Sequence, residues 1–197
     1  MQFAVKILVK KEVKSFARNP GGAPANVLAM NSKLGGSSAF IGKVGNDAFG
    51  SYLNDTLSNH NIDITGMATD SNVPTTLAFV QLDSKGDRSF SFYRNPGADM
   101  MLNADEVKKE LIDECKIFHF GSLSLTDEPC RKATYDAVNY AKKLGKIISF
   151  DPNYRSLLWS DREKAVNEIS RAITMADILK VSEEEMYLVT GETNLRS

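Results

Sequence analysis

The residues of this chain best placed to do chemistry begin at Asn19-Pro20-Gly21-Gly22-Ala23-Pro24-Ala25-Asn26-Val27. Gly21 and Gly22 permit a positive φ and let a ligand approach the backbone without meeting a Cβ. Pro24 suits the first turn of a helix, where a missing N–H costs nothing. Asn26 then stands on that first turn with both a donor and an acceptor, the pairing that a vicinal diol requires. A polyol such as a sugar is the natural guest. The plainer reading is a strand-turn-helix connection with Asn26 capping backbone groups.

Further polar residues punctuate the apolar segments downstream. Asp151 and Asn153 follow a five-residue apolar run, at the carboxyl edge of a strand, where open α/β sheets bind ligands. Arg155 beside them suits a charge-assisted, bidentate contact with phosphate; the alternative is an Asp151–Arg155 pair closing a turn. Arg94 ends a β-rich run just before Pro96-Gly97, so its guanidinium either reaches sugar hydroxyls or is a solvated strand end. Ser182-Glu183-Glu184-Glu185 has the Ser-x-x-Glu form of a capping box and needs no ligand to explain it. His119, between Phe118 and Phe120, is expected to be a hydrogen-bonded core residue. Lys43 is either an anion contact or an exposed strand end.

The elements that must position these residues alternate along the chain. Ala25, Val27, Leu28, Ala29, Met30 and Leu34 supply apolar bulk to a helix that stops at Gly35-Gly36. The pattern then predicts a strand at 38–44, a helix at 47–59 capped by Asn46 or Asp47, a buried strand at 116–120, a helix at 128–144, a strand at 146–150, a helix at 161–175 and a strand at 178–181. Strands separated by helices of this length imply parallel βαβ units in a doubly wound α/β sheet. Between 66 and 95 the texture changes: 75–82 and 88–93 are β-rich runs around Asp83-Ser84-Lys85-Gly86-Asp87, a hairpin that must stand off the parallel core.

Composition narrows the function classes. The chain has 197 residues, 42% hydrophobic and 25% charged, with a formal net charge of −1, so no electrostatic reason to expect nucleic acid or an acidic membrane surface exists. Cys115 and Cys130 form no C-x-x-C, and the two histidines are too few and too far apart for a structural zinc site. No run approaches the ~18 consecutive apolar residues of a membrane span, and a reduced, cytoplasmic setting is expected.

Phe40-Ile41-Gly42-Lys43-Val44-Gly45-Asn46-Asp47-Ala48-Phe49-Gly50, following the first run at this distance, resembles the amino-terminal signature of the PfkB (ribokinase-like) carbohydrate kinases. Phe92-Tyr93-Arg94-Asn95-Pro96-Gly97-Ala98-Asp99, His119-Phe120-Gly121-Ser122, Asp151-Pro152-Asn153-Tyr154-Arg155 and Val181-Ser182-Glu183-Glu184-Glu185 resemble segments of the fructokinase branch in the expected order. The resemblance implies a partial ribokinase-like α/β domain over 1–197, with β-lid segments at about 14–22 and 66–95 and the carboxyl-terminal part of the fold absent.

It further implies an ATP-dependent sugar kinase using Mg2+, with fructose as sugar and a homodimer through the lid. The sugar contacts would be Gly21, Gly22, Asn26, Arg94, Asp151 and Asn153. Arg155, Ser182 and Glu185 would serve the phosphate side, Glu185 reaching the metal through water.

Two departures from the family stand out. Residues 1–14 carry no Gly-Glu and no sugar-binding Asp, and the Gly-Ala-Gly-Asp motif that holds the catalytic base is absent, so the base is expected beyond residue 197 and the chain alone inactive. Alternatives are a 2-keto-3-deoxygluconate kinase, or a non-catalytic sugar-binding or dimerising remnant.

Overall fold

The structure, a computed structural model, describes residues 2–8, 15–82 and 88–192. The chain divides into two compact units, Met1–Leu102 and Asn103–Ser197.

The first unit runs through β1 (Gln2–Leu8), β2 (Ala17–Gly21), α1 (Ala23–Lys33), β3 (Ser38–Ala39), β4 (Gly42–Gly45), α2 (Ala48–Asn59), β5 (Ile62–Asp63), β6 (Met67–Asp70), β7 (Leu77–Leu82) and β8 (Arg88–Tyr93), closing with a 3-10 turn at Ala98–Met101. Parallel pairs β3–β5 and β4–β6 form one pattern. The other is a four-stranded sheet in the order β2-β1-β7-β8, in which β1 runs antiparallel to β2 and parallel to β7, and β7 and β8 form the antiparallel pair expected of a hairpin. The hairpin loop at 83–87 lies outside the described residues.

Three expectations need correcting here. The strand expected over 38–44 is two strands, because its halves have different partners: Ser38 and Ala39 pair with Ile62 and Asp63, whereas Gly42–Gly45 pair with Met67–Asp70. Phe40, at the break, turns into a cluster with Ala25, Leu57 and Ile62. For the same reason Met67–Asp70 does not join the four-stranded sheet, and of the segment 66–95 only β7 and β8 do. Finally, α1 buries only Ala25, with Leu28 and Ala29 packed against that cluster. Val27, Met30 and Leu34 share the opposite face of the helix and are exposed, Leu34 at 81%.

The second unit comprises a 3-10 turn (Ala104–Glu106), α3 (Lys109–Glu114), β9 (Ile117–Gly121), a 3-10 turn (Ser122–Leu125), α4 (Cys130–Lys143), β10 (Ile147–Asp151), a 3-10 turn (Ser156–Leu158), α5 (Arg162–Ile173), β11 (Ile178–Leu179) and α6 (Glu183–Thr190). Its sheet is wholly parallel, ordered β11-β10-β9, as the βαβ reading requires. Ile148 and Phe150 of β10 are fully buried, and Phe150 packs on Phe120 of β9 with ring centroids 4.7 Å apart. The apolar side of α4, including Ala133, Val138 and Ala141, is buried, and the helix packs on β9 and β10.

The opposite face of this sheet departs from the buried strand expected at 116–120. Side chains alternate across a strand, and the register Ile117↔Ile147 and Ser149↔Ile178 puts all three isoleucines on one face. Each is between 43% and 51% exposed. Among the described residues no helix is long and apolar enough to cross a membrane.

Candidate functional site: two polar clusters on strand ends

In the first unit the glycine run behaves as its residue types require. Gly22 adopts φ +123° and is the residue preceding α1, and Pro24 lies in the first turn. Asn26 donates its backbone N–H to Gly22 O (3.0 Å) and is exposed, and among the described residues its side chain makes no hydrogen bond to a backbone group. The capping alternative for Asn26 is therefore not what the structure shows.

The next signature segment is organised by Asp47, whose side chain caps α2. Oδ1 accepts from Phe49 N (3.0 Å), Gly50 N (2.8 Å) and Thr75 Oγ1 (2.8 Å), and Oδ2 accepts from Thr75 N (2.8 Å). Burial alone would raise this carboxyl's pKa. The donated bonds from Thr75, Gly50 and Phe49 outweigh it and hold the group below its ordinary value of 3.8. The Asp is thus both a helix cap and a tie to the entrance of β7.

The exit of β8 is tied from the other side. Arg94 is buried, at 8% exposure, and its Nε donates to Asp99 Oδ2 at 2.8 Å, while the Thr76 hydroxyl donates to Asp99 Oδ1. Arg94 is accordingly not a solvated strand end; a guanidinium this deep is held by its carboxylate partner. Gly97 has no room for a side chain, since a Cβ there would stand 1.7 Å from Thr76 Oγ1. Thr75 and Thr76 therefore bind opposite partners at the root of the β7–β8 hairpin.

Lys43 is likewise not an exposed strand end. It is buried, its Nζ lies 3.1 Å from Asp70 Oδ2, and it donates to Met101 O at 3.1 Å. Asp70 and Thr75 lie outside every signature segment, and Asp99 stands only at the end of one. Their side-chain partners stand 5 to 28 residues away, and only the cap preference of Asp47 hinted at the network.

The second unit gathers its polar residues at the carboxyl ends of β9 and β10. Asp151 is buried and pairs with Lys180, Oδ1 to Nζ 3.3 Å. The Asp151–Arg155 pair considered from sequence does not form: Arg155 is exposed and donates from Nη1 to Tyr154 O. Lys180 reaches Asp151 because β11 lies beside β10, where Lys180 N also donates to Phe150 O (3.0 Å).

Asn153 has φ +41°, in the left-handed region where Asn is among the few tolerated side chains. Glu185, 7% exposed, accepts from Tyr154 N at Oε1 (2.7 Å) and from Ser182 N at Oε2 (2.8 Å), while Ser182 Oγ accepts from Glu185 N (3.2 Å). The capping box of α6 is therefore real, and its carboxylate serves a second segment as well. Burial pulls the Glu185 pKa upward, but the amides of Ser182 and Tyr154 prevail and set it below the ordinary 4.5.

His119 is hydrogen-bonded as expected, Nδ1 lying 2.9 Å from Ser149 Oγ, but it is half-buried and shares the face of Ile117 rather than standing in the core. Burial lowers its pKa, only partly opposed by the Asp151 charge, so the ring is neutral near pH 7. Among the described residues no group of three or more His, Cys, Asp or Glu could hold a metal directly.

Gly21, Gly22, Asn26 and Arg94 thus belong to the first unit, and Asp151, Asn153, Arg155, Ser182 and Glu185 to the second. Within the second unit the structure brings Asp151, Asn153 and Glu185 to one loop.

Known proteins resemble this chain along nearly all of it. Fructokinase-1 of Zea mays is 49% identical over 180 residues, which is 91% of this chain and 56% of that protein. A crystal structure of fructokinase with bound ATP from Xylella fastidiosa matches with a TM-score of 0.89 at 34% identity, covering 96% of this chain and 57% of that one. A fructokinase from Vibrio cholerae O395 in a fructose, ADP and calcium ion bound form matches with a TM-score of 0.86 at 34% identity, covering 98% and 62%. The chain spans about half the length of the curated relatives it matches. With the ribokinase-like α/β fold shared by these neighbours and the pattern of the pfkB family carbohydrate kinase matching residues 4–196, the chain belongs to the PfkB family of carbohydrate kinases.

Proposed function

We propose that this chain forms the sugar-binding side, and part of the phosphate side, of an ATP-dependent fructokinase. The observation that carries the reading is 49% identity to a fructokinase over 180 residues, 91% of this chain. The residues proposed to contact sugar are Gly21, Gly22, Asn26, Arg94, Asp151 and Asn153. Arg155, exposed at the end of the loop after β10, suits a phosphate group of ATP. Phosphoryl transfer depends mainly on positioning and charge neutralisation, which is work for these residues.

Magnesium fits this chain only through water. Glu185 is ionised, and each of its oxygens accepts one amide and keeps a further lone-pair direction, whereas a direct set of ligands is missing among the described residues. When bound, the ion would neutralise charge on the phosphates; the contribution of this chain is a fixed carboxylate that orders water. Exposed Phe16 and Tyr93, each edge-to-face on Phe79 of β7, support pairing of the four-stranded sheet with a second copy. A cytoplasmic setting, in which sugar and ATP are both available, suits this reading.

The test is a coupled ADP-release assay with fructose and Mg-ATP, run on this chain and on a version extended with the Gly-Ala-Gly-Asp half of a relative. Activity confined to the extended protein is the expected result. A folded but inactive extended protein would favour the second reading, a non-catalytic sugar-binding or dimerising remnant.

A further inference from the structure

Asn153 stands between two peptide planes that are each anchored to a different element. The plane before it carries the Pro152 carbonyl, which accepts both the N–H (3.3 Å) and the hydroxyl of Ser122. Ser122 is fully buried and follows directly on β9. The plane after it carries the Tyr154 N–H, which donates to Glu185 Oε1 at 2.7 Å. Peptide planes are rigid, so anchoring the two that flank one Cα sets both of its dihedrals. Asn153 is held at φ +41° in this way. Its side-chain amide makes no hydrogen bond to another described residue.

We infer that Ser122 and Glu185 are positioning residues that clamp the loop after β10 from two sides, holding the Asn153 amide in the conformation that meets the ligand. The inference rests on the proposed reading for one point alone, that Asn153 contacts sugar. Backbone held in a sparsely populated region is found where neighbouring structure over-determines it, and such positions cluster at ligand sites. Here the over-determining groups can be named. Two donors converge on one carbonyl, and an ionised carboxylate accepts one amide, the latter a charge-assisted bond.

The experiment uses the 197-residue chain, 15N-labelled, with variants Ser122→Ala, Glu185→Ala and Glu185→Gln. Amide exchange is read at Tyr154 and, as a control for global stability, at Ile148 and Phe150 of β10. The expected result for Glu185→Ala is a loss of Tyr154 protection of about tenfold or more, with the β10 amides unchanged. Glu185→Gln, which keeps one acceptor oxygen, should retain part of the protection, and Ser122→Ala should lose some.

A purely structural role would lower Tyr154 and β10 protection together, and that outcome, or unchanged Tyr154 exchange, overturns the clamp. Fructose is then titrated while the Asn153 side-chain resonance is followed. A shift in the parent chain that is lost in Glu185→Ala and Ser122→Ala supports the clamp acting on the ligand contact; an equal shift in all forms overturns it. If fructose moves no resonance while the exchange pattern holds, the clamp stands and the sugar contact of Asn153 is refuted.

Discussion

Asp47 is the residue on which most local structure depends, since four donated bonds converge on it. Replacing it with Ala removes a helix cap and leaves the Thr75 N–H and hydroxyl without their acceptor. A cost of about 2–3 kcal/mol is expected, from a cap worth about 1 and the remaining buried bonds, seen as a lower midpoint in urea. The pH dependence follows from the same bonds. The folded pKa lies below the ordinary 3.8, so Asp47 contributes stability that is present above that value and is lost as pH falls through the folded one. A melting-temperature profile from pH 7 to pH 2 should therefore drop more steeply at its acid end for the parent chain than for Asp47→Asn. Parallel profiles would show that the carboxylate charge is not what those donors hold.

Elements carry two further predictions. Gly97 sits where β8 leads into a 3-10 turn, against Thr76 at the start of β7, and any Cβ there meets the Thr76 hydroxyl. Gly97→Ala should cost about 1–3 kcal/mol by overpacking, and Gly97→Ala with Thr76→Ser should not rescue it, because Ser keeps the hydroxyl. Thr76→Ala in the same background removes the clashing oxygen and should recover part of the loss, at the expense of the bond to Asp99. In the second unit, Ile148 is wholly buried at the centre of the parallel sheet. Ile148→Ala should cost about 2–5 kcal/mol, read from equilibrium denaturation. A loss under 1 kcal/mol would mean that α4 does not pack tightly on β10.

At the scale of the whole molecule, two exposed apolar stripes shape behaviour in solution. Val27, Met30 and Leu34 line one face of α1, and Ile117, Ile147 and Ile178 line one face of a parallel sheet. Parallel sheets are ordinarily covered on both faces, so the 197-residue chain should self-associate with rising concentration. Ile147→Lys with Ile178→Lys should reduce that association without lowering the melting temperature by more than a few degrees; sedimentation velocity over a concentration series is the check. A monodisperse parent chain at all concentrations would contradict it. Turnover of fructose by the chain alone should stay far below the ~1 per second that marks an ordinary enzyme, because no Gly-Ala-Gly-Asp base occurs in its 197 residues.

The amino-acid sequence by itself determined those features that depend on neighbours a few residues away. Gly22 takes its positive φ before a proline-started helix, Asp161 caps α5, Ser182 and Glu185 close a capping box, and the alternation of apolar runs yields the parallel β9, β10 and β11. Each is written in local residue type, so each could be read locally. Only the tertiary structure decided what a side chain far along the chain would find. Lys43 meets Asp70, Arg94 meets Asp99, Asp151 meets Lys180 rather than Arg155, and Ser122 meets the carbonyl before Asn153. The break in the strand at Phe40 belongs to the same class, since it reflects a change of partner rather than any signal in the run itself. The physical reason is that capping, turn and periodicity preferences are energies of short segments. The pairing of buried charges and the anchoring of a peptide plane are energies of distant segments, which exist only once the sheets have brought them together.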